Sequence, residues 1–289
     1  MKDDLPSPII TQDQSWTAYS PTYQETFHSI SGAREECEVI FFQASQIQEK
    51  WHAAACADPP LPSFNILEVG FGLGLNWQNL QQHWLAAAAQ GAVPPLVQYH
   101  ALEKDTSLIE ATRDHLKLPL IWQTRPPELT PVFTSNSHDQ TPGLGHWFFT
   151  QKQATSTLQL FIWPGDARQV LPRLTDYLKP CQAVWQDAFS PRHNSELWTW
   201  QWFKDLAAVC APTAIVATYS AATPVRLAMQ KAGFKVASRS ASQSKKASTI
   251  AALTGIADPA LAAKLAASPY AAYDDHDVLS NDPSRKSET

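Results

Sequence analysis

From Phe64 onward, short apolar runs alternate with longer amphipathic segments, and this alternation organises the chain. "FNILEVG" reads as a buried strand, and "NWQNLQQHWLAAAAQ" as a helix closed by Gly91 with prolines just beyond. "LVQYHALE" is a second strand, and "SLIEATRDHLKL" a second helix stopped by Pro119. "LQLFIWPGDA" gives a third strand, followed by a helix from Ala167 to Tyr177. The strand "CQAVWQDAF", the tryptophan-rich helix "SELWTWQWFKDLAAVC" and the strand "TAIVATYS" continue the pattern. A helix over "TPVRLAMQKAG", opened by Thr223 and Pro224 and closed by Gly233, leads into "FKVASRS" and "STIAALTG". Those last two read as an antiparallel pair. The whole predicts an α/β protein on a doubly wound sheet.

Three stretches depart from the alternation. In residues 1–60, "ETFHSI" and "CEVIFFQ" read as short strands around "SGAREE", before a helical "QIQEKWHAAACA". This predicts a small N-terminal β extension packed on a core of residues 61–257. Residues 123–145 are polar and Pro-rich without periodicity, which is expected of a mobile loop insertion or a lid. Beyond Asp258 the chain turns Ala-rich and then acidic, so a partly disordered tail is expected over 258–289.

Composition narrows the function classes. No run of 18 or more residues is uninterruptedly apolar, and the opening "MKDDLPSPIITQDQSW" is acidic and Pro-containing, so a cytoplasmic protein without membrane contact is expected. Cys37, Cys56, Cys181 and Cys210 form no Cys-x-x-Cys pair, and the nine histidines show no ligand spacing; no metal is expected. No heptad pattern is visible, and a monomer is expected. The net charge of −5 argues against a general nucleic-acid binder. Between Asp205 and Asp258, however, no acid occurs, while Arg226, Lys231, Lys235, Arg239, Lys245 and Lys246 do. That stretch is either a solvated face or a polyanion-facing patch.

The chemistry concentrates at the expected strand ends, where ligands of such sheets bind. Gly70, Gly72 and Gly74 follow the first strand, and Glu68, Glu103, Asp166 and Asp187 sit at or beside strand ends. Glycines there let the backbone approach a ligand. A third glycine in the dinucleotide register is missing, its place taken by Leu75, which favours a phosphate-free nucleoside over NAD. S-adenosylmethionine fits this pattern. Glu68 suits its cationic amino-acid end, Glu103 can accept from ribose hydroxyls, and Asp166 from the adenine amine or as a helix cap.

The strings "VGFGLGLNW", "LEKD", "PGDA", "DAFSPRHNSELW" and "ATYSAATPVRLAMQKAGF" resemble the MnmC-type methyltransferase family, from about Trp16 to Gly255. "TFHSISGAREECEVIFF" is similar to that family's opening segment. The resemblance implies a class I S-adenosylmethionine-dependent, Rossmann-like fold, a seven-stranded sheet with an antiparallel last strand. It implies the methionine end of the cofactor on Glu68, Gly70, Gly72, Gly74 and Asn76, ribose on Glu103, and adenine on Asp166 and Ala167. Asp187 would stand where methyl donor and acceptor amine meet. The family methylates 5-aminomethylated wobble uridine in tRNA, often fused to a flavin-dependent oxidoreductase domain. No flavin segment is visible in these residues, so a separate flavin-dependent enzyme would supply the amine.

On that reading Phe189 and Pro191 wall the acceptor pocket, and Arg239, Lys245 and Lys246 contact tRNA phosphates. The basic string is sparse here ("SQSKKAST"), which keeps a small amine or a protein side chain open as the acceptor. A catalytically silent nucleotide-binding or scaffold protein is the alternative of another class. The intact strand-end acids argue against it.

Overall fold

The computed structural model describes residues 7–124, 145–175, 178, 180–240 and 247–280. The chain opens with β1 (Pro8–Ile10), β2 (Trp16–Ser20) and β3 (Glu25–Thr26), a small antiparallel sheet. Helix α1 (Ala33–Glu36) runs directly into a π-helical segment, Cys37–Gln43, and α2 (Ile47–Cys56) follows. "CEVIFFQ" is therefore helical and not the strand that its aromatic and β-branched content suggests. The wide turn sends Phe41 and Phe42 to different partners: Phe42 stacks on His83 and meets Trp51 edge-on, while Phe41 packs on Trp185. Tertiary packing overrides local propensity here.

The main body contains β4 (Phe64–Val69), α3 (Leu75–Ala88), β5 (Leu96–Glu103), α4 (Thr106–Leu116), β6 (Ile121–Gln123), β7 (His146–Gln153) and β8 (Ser156–Pro164). It continues through α5 (Ala167–Leu174), β9 (Cys181–Gln186), a 3-10 turn (Ser195–Trp198), α6 (Trp200–Val209), β10 (Cys210–Thr218) and α7 (Thr223–Lys231). Strands β11 (Lys235–Ser240) and β12 (Ala247–Ala252) and helices α8 (Pro259–Ala266) and α9 (Asp275–Ser280) complete it.

The strand order is β11-β12-β10-β9-β4-β5-β8-β7-β6. Strands β8, β5, β4, β9 and β10 are parallel, and β12 inserts antiparallel between β10 and β11, the expected closing pair. The sheet has nine strands, not the expected seven, because β7 and β6 extend it beyond β8. In "HWFFTQKQ" the aromatic residues sit at the start and the polar ones at the end, so no clean alternation advertises a strand. What fixes it is the hairpin to β8, turning at Ala154 in the left-handed region (φ 50°). Most of the expected insertion, residues 125–144, lies outside the described residues.

Each face of the sheet carries its own core. Along β4, Phe64 and Ile66 point to one cluster with Trp51, Trp77, Trp84 and Tyr99, whereas Leu67 and Val69 point to another with Trp198, Trp202 and Phe203. Trp198 and Trp202 are buried and Trp200 is partly covered by Lys231, as their packing role predicts. Chain direction reverses between β4 and β9: the connections β4-β5-β8 run one way across the sheet, β9-β10 the other. The ends of those two strands define the switch point.

The segment after Asp258 forms α8 and α9, the latter ending at Ser280. Asp258 caps α8 through the Leu261 N–H (2.9 Å). Asp274 accepts from the Trp200 indole (2.6 Å) and Lys231 (3.3 Å), and Asp275 makes a bidentate pair with Arg168. The acids that suggested a solvated tail are its anchors. Residues 281–289 lie outside the described residues. The Arg168–Asp275 pair is about one-fifth exposed on each side, so solvent weakens it only in part. Asp275→Ala is expected to cost about 1–2 kcal/mol in urea unfolding, and a loss within error would show the tail to be merely resting on the surface.

Candidate active site

Where β4 ends, Gly70 turns with φ 93°, and a side chain there would place its Cβ 2.8 Å from the Asp187 carbonyl oxygen. Only glycine lets the two switch-point strands close to this distance. The Gly70 N–H donates to Leu102 O (3.0 Å) and the Asp187 N–H to Val69 O (3.1 Å), so the three strand ends are stitched together. Gly72 has φ 51°, and its N–H donates to Glu103 Oε2 (2.9 Å). The other oxygen of Glu103 accepts from the Asp105 N–H (2.9 Å). The Glu103 carboxylate retains lone pairs beyond those two bonds.

These residues line one cavity of about 260 Å³ over the carboxyl ends of the strands. Gly70, Gly72, Glu103, Asp166, Ala167, Asp187 and Phe189 all face it. Asp166 also caps α5, accepting from the Arg168 N–H (3.0 Å), and pairs with Lys104 (3.3 Å). Glu68, Gly74 and Asn76 lie behind the wall. Gly74 caps α3 in the left-handed region, and a Cβ added there would come within 3.0 Å of Leu116, 3.1 Å of Phe71 and 3.3 Å of Thr112. Glu68 is fully buried on the α3 face of the sheet. The Asn76 amide nitrogen spans the gap, donating to Glu68 Oε1 (2.8 Å) and to Asp187 Oδ2 (2.8 Å). Of the expected acceptor-side residues, Pro191 is in the turn after Phe189 and does not line the cavity. Arg239 is exposed at the end of β11, on the same sheet edge but three strands beyond β9. Lys245 and Lys246 lie outside the described residues.

The sequence reading missed one wall entirely. Tyr23, Glu25, Phe27, His28, Ser29 and Glu36, all from the N-terminal segment, line the cavity. Tyr23 stacks on Phe189 with ring centres 4.2 Å apart, and Glu25 accepts from the Ser190 hydroxyl (2.6 Å). The only signal was the density of aromatic and acidic residues in "YQETFHSISGAREE", which no periodicity explains.

Charge is the dominant property of the site. Among the described residues, six carboxyl groups line the cavity (Glu25, Glu36, Glu103, Asp166, Asp187 and Glu196) against one lysine, Lys104. Enclosure raises the Asp187 carboxyl well above the usual carboxylate range, and Glu36 and Glu68 push it further. Burial lifts Glu68 to about 8, against the pull of Tyr99 and Asn76. Glu103 is also raised by burial, opposed by its two backbone N–H donors. Burial holds His28 down at about 4, so its imidazole is neutral near pH 7. Such a cavity takes up positive charge. S-adenosylmethionine fits it through its sulfonium and α-ammonium groups, and fits the opened Gly70–Gly72 backbone and the acceptor capacity of Glu103.

Comparison with known proteins agrees. Residues 136–254 match the model of a family described as S-adenosyl-L-methionine-dependent methyltransferase. The tRNA 5-methylaminomethyl-2-thiouridine biosynthesis bifunctional protein MnmC of Burkholderia vietnamiensis is 28% identical over 233 residues, covering 80% of this chain and 32% of that protein. The protein of the same name from Cupriavidus necator is 29% identical over 221 residues, covering 75% and 30%. The crystal structure of MnmC2 from Aquifex aeolicus superimposes with a TM-score of 0.66 at 26% identity, covering 94% of this chain and 79% of that one. The chain is thus an S-adenosylmethionine-dependent methyltransferase of the class I, Rossmann-like type. Its resemblance is to the methyltransferase part of MnmC, and it spans about a third of the length of the curated relatives it matches. No helix among the described residues is long and apolar enough to cross a membrane.

The buried Glu68 gives a pH-dependent prediction. Its pKa in the fold (about 8) exceeds its ordinary value of 4.5, so folding takes up a proton between those limits. Stability from this group is full below pH 4.5 and falls as pH rises through 8. Glu68→Gln, which preserves an acceptor for Asn76, should leave the ligand-free protein unchanged at acid pH and stabilise it by about 1–2 kcal/mol at alkaline pH. Thermal melts across that range check this, and a pH-independent difference would contradict it.

Proposed function

We propose that this chain methylates a primary amine, the 5-aminomethyl group of the wobble uridine in tRNA. The observation that carries the amine is the six-carboxylate cavity with Asp187 at the switch point. The names of the relatives, tRNA 5-methylaminomethyl-2-thiouridine biosynthesis proteins, support the tRNA. In this reading the amine is exposed beforehand by a separate flavin-dependent enzyme, and the chain acts as a monomer.

The cofactor supplies an electrophilic methyl group on a positively charged sulfur. Gly70 and Gly72 would border its methionine end, with Asn76 behind the wall orienting Asp187 and Glu68 fixing that amide. Glu103 takes the ribose, and Asp166 and Ala167 the adenine edge. An alkylamine has a pKa near roughly 10 and arrives as an ammonium ion. Asp187 Oδ2, oriented by the Asn76 amide, pairs with that ion, holds it in line and accepts a proton from it. Positive charge in the cavity lowers the raised Asp187 pKa toward the usual range, so the carboxylate forms when the ligands are in place. Phe189, stacked under Tyr23, excludes water beside it. Arg239, Lys245 and Lys246 are the proposed phosphate contacts.

A second reading, with a small amine in place of tRNA, is favoured by the one lysine among the described residues at the cavity wall, which sets little positive charge there against six carboxyl groups. Incubation with methyl-labelled cofactor and tRNA carrying 5-aminomethyluridine, followed by nucleoside mass analysis, separates the two. One added methyl on that nucleoside supports tRNA. An unlabelled tRNA beside labelled small amines would replace it.

Asp187→Ala should lower turnover by roughly 10²–10⁴-fold while cofactor affinity, read by calorimetry, stays within a few-fold. Equal loss of both would make Asp187 a cofactor ligand instead. Arg239→Glu should raise KM for tRNA and leave KM for the cofactor alone. An unchanged KM would remove Arg239 from the tRNA surface.

A further inference from the structure

Strand pairing stops just before Asp187. The last registered pairs of β9 are Trp185 with Ala217 on β10 and Gln186 with Val69 on β4. Backbone carbonyls beyond the end of a sheet need other donors. Here two aromatic side chains supply them. The Tyr219 hydroxyl donates to Ala188 O (2.8 Å), and the Trp198 indole N–H donates to Phe189 O (2.8 Å). Each donor has one hydrogen to give and a carbonyl has none, so the direction of both bonds is fixed.

Register places Tyr219 for this. Ala217 pairs with Trp185 across the parallel strands, so two residues further along Tyr219 stands level with Asp187. Tyr219 lines the cavity and meets Trp198 edge-on, with ring centres 5.9 Å apart, so the two donors brace one another. Burial lifts its phenol well above the usual range, and Asp187, Glu25 and Glu36 push it further, so the hydroxyl keeps its proton. Asp187 is thereby held from three directions. Its N–H is on Val69 O (3.1 Å), its Oδ2 accepts from the Asn76 amide (2.8 Å), and the residue after it is tied through Ala188 O.

We propose that Tyr219 is a positioning residue for Asp187: its hydroxyl, by fixing the Ala188 carbonyl, keeps the Asp187 carboxyl group on the Asn76 amide at the cavity wall. Tyr219 acts through the backbone and takes no part in the chemistry. For its effect on turnover the proposal rests on the reading that Asp187 meets the acceptor. The placement of the carboxyl group does not depend on what the acceptor is. A reacting group displaced by about 1 Å loses on the order of 10²-fold in rate, and one lost hydrogen bond should bring about part of that.

The test is Tyr219→Phe in the full chain, which removes one oxygen and keeps the ring. Its first readout needs no acceptor. The Asn76 side-chain amide donates to both Glu68 and Asp187, and NMR of isotope-labelled protein shows its two protons separately. The proton facing Asp187 is the one that shifts in Asp187→Asn. In Tyr219→Phe it should move upfield as its bond weakens, while the proton on Glu68 stays. The second readout is methyl transfer from S-adenosylmethionine to tRNA carrying 5-aminomethyluridine. There kcat should fall about tenfold, with affinity for S-adenosylhomocysteine, read by calorimetry, within about twofold. Two unmoved Asn76 protons overturn the proposal, and so do two that move alike, which marks a general loosening. Affinity for S-adenosylhomocysteine that falls as far as kcat overturns it too, by making Tyr219 a cofactor ligand. Unchanged turnover beside a shifted proton would leave Tyr219 a structural role only. A wild type that leaves this tRNA unmethylated sinks the tRNA reading alone, because the amide signals still decide what holds Asp187.

Discussion

One side-chain amide joins the two carboxyl groups on which the site turns. Asn76 donates to Glu68 inside the core and to Asp187 at the cavity wall, so a buried carboxyl group and one facing the cavity share a nitrogen. Burying carboxylates without cations is unfavourable, and the fold tolerates it in two ways. The carboxyl groups raise their pKa, and the few donors available go to them. What remains is a cavity whose free energy falls when positive charge enters. In the proposed reaction cofactor and acceptor, a sulfonium and an ammonium, repel one another in water, and the same negative field would hold both.

The fold supplies that field by geometry. Parallel strands of a doubly wound sheet end on one edge, and their C-terminal loops converge only where the chain reverses direction, between β4 and β9. Gly70 makes the convergence close enough that Asp187 touches its turn. The N-terminal segment then closes the open side, tied down by Glu25 on Ser190 and Tyr23 on Phe189. The opposite flank is set by Arg168, which reaches from the start of α5 to Glu196 O (2.8 Å) and to Asp275 beyond it. Segments distant in sequence thus meet around one pocket.

The parallel core of this fold was legible in the sequence because its signals are local. Apolar runs, glycine stops and proline starts mark β4, α3, β5 and α7 without reference to anything else. Strand-end acids were legible for the same reason, and the structure brings Glu103, Asp166 and Asp187 to one cavity. The rest depends on contacts that no window of sequence contains. Cys37–Gln43 carries a strand's composition, and packing on Trp51, His83 and Trp185 winds it into a π-helical turn. Strand β7 owes its existence to pairing with β8. Asp274 and Asp275 read as solvated until Trp200, Lys231 and Arg168 are seen to meet them. The wall formed by Tyr23 through Glu36 was hidden because its residues follow no period; its end is placed where the Ser15 and Asp13 side chains accept from the Ala33, Arg34 and Glu35 N–H groups.

The central claim is that uncompensated negative charge binds the cofactor, and proton release on binding measures it most directly. Calorimetry of S-adenosylmethionine binding in buffers of different ionisation enthalpy, at about pH 6.5 where the cofactor's own amino group is already protonated, counts those protons. Raised carboxyl groups that meet a cation must lose protons, so the account predicts net release, reduced in Glu68→Gln. Binding with no proton exchange, or with uptake, would contradict it.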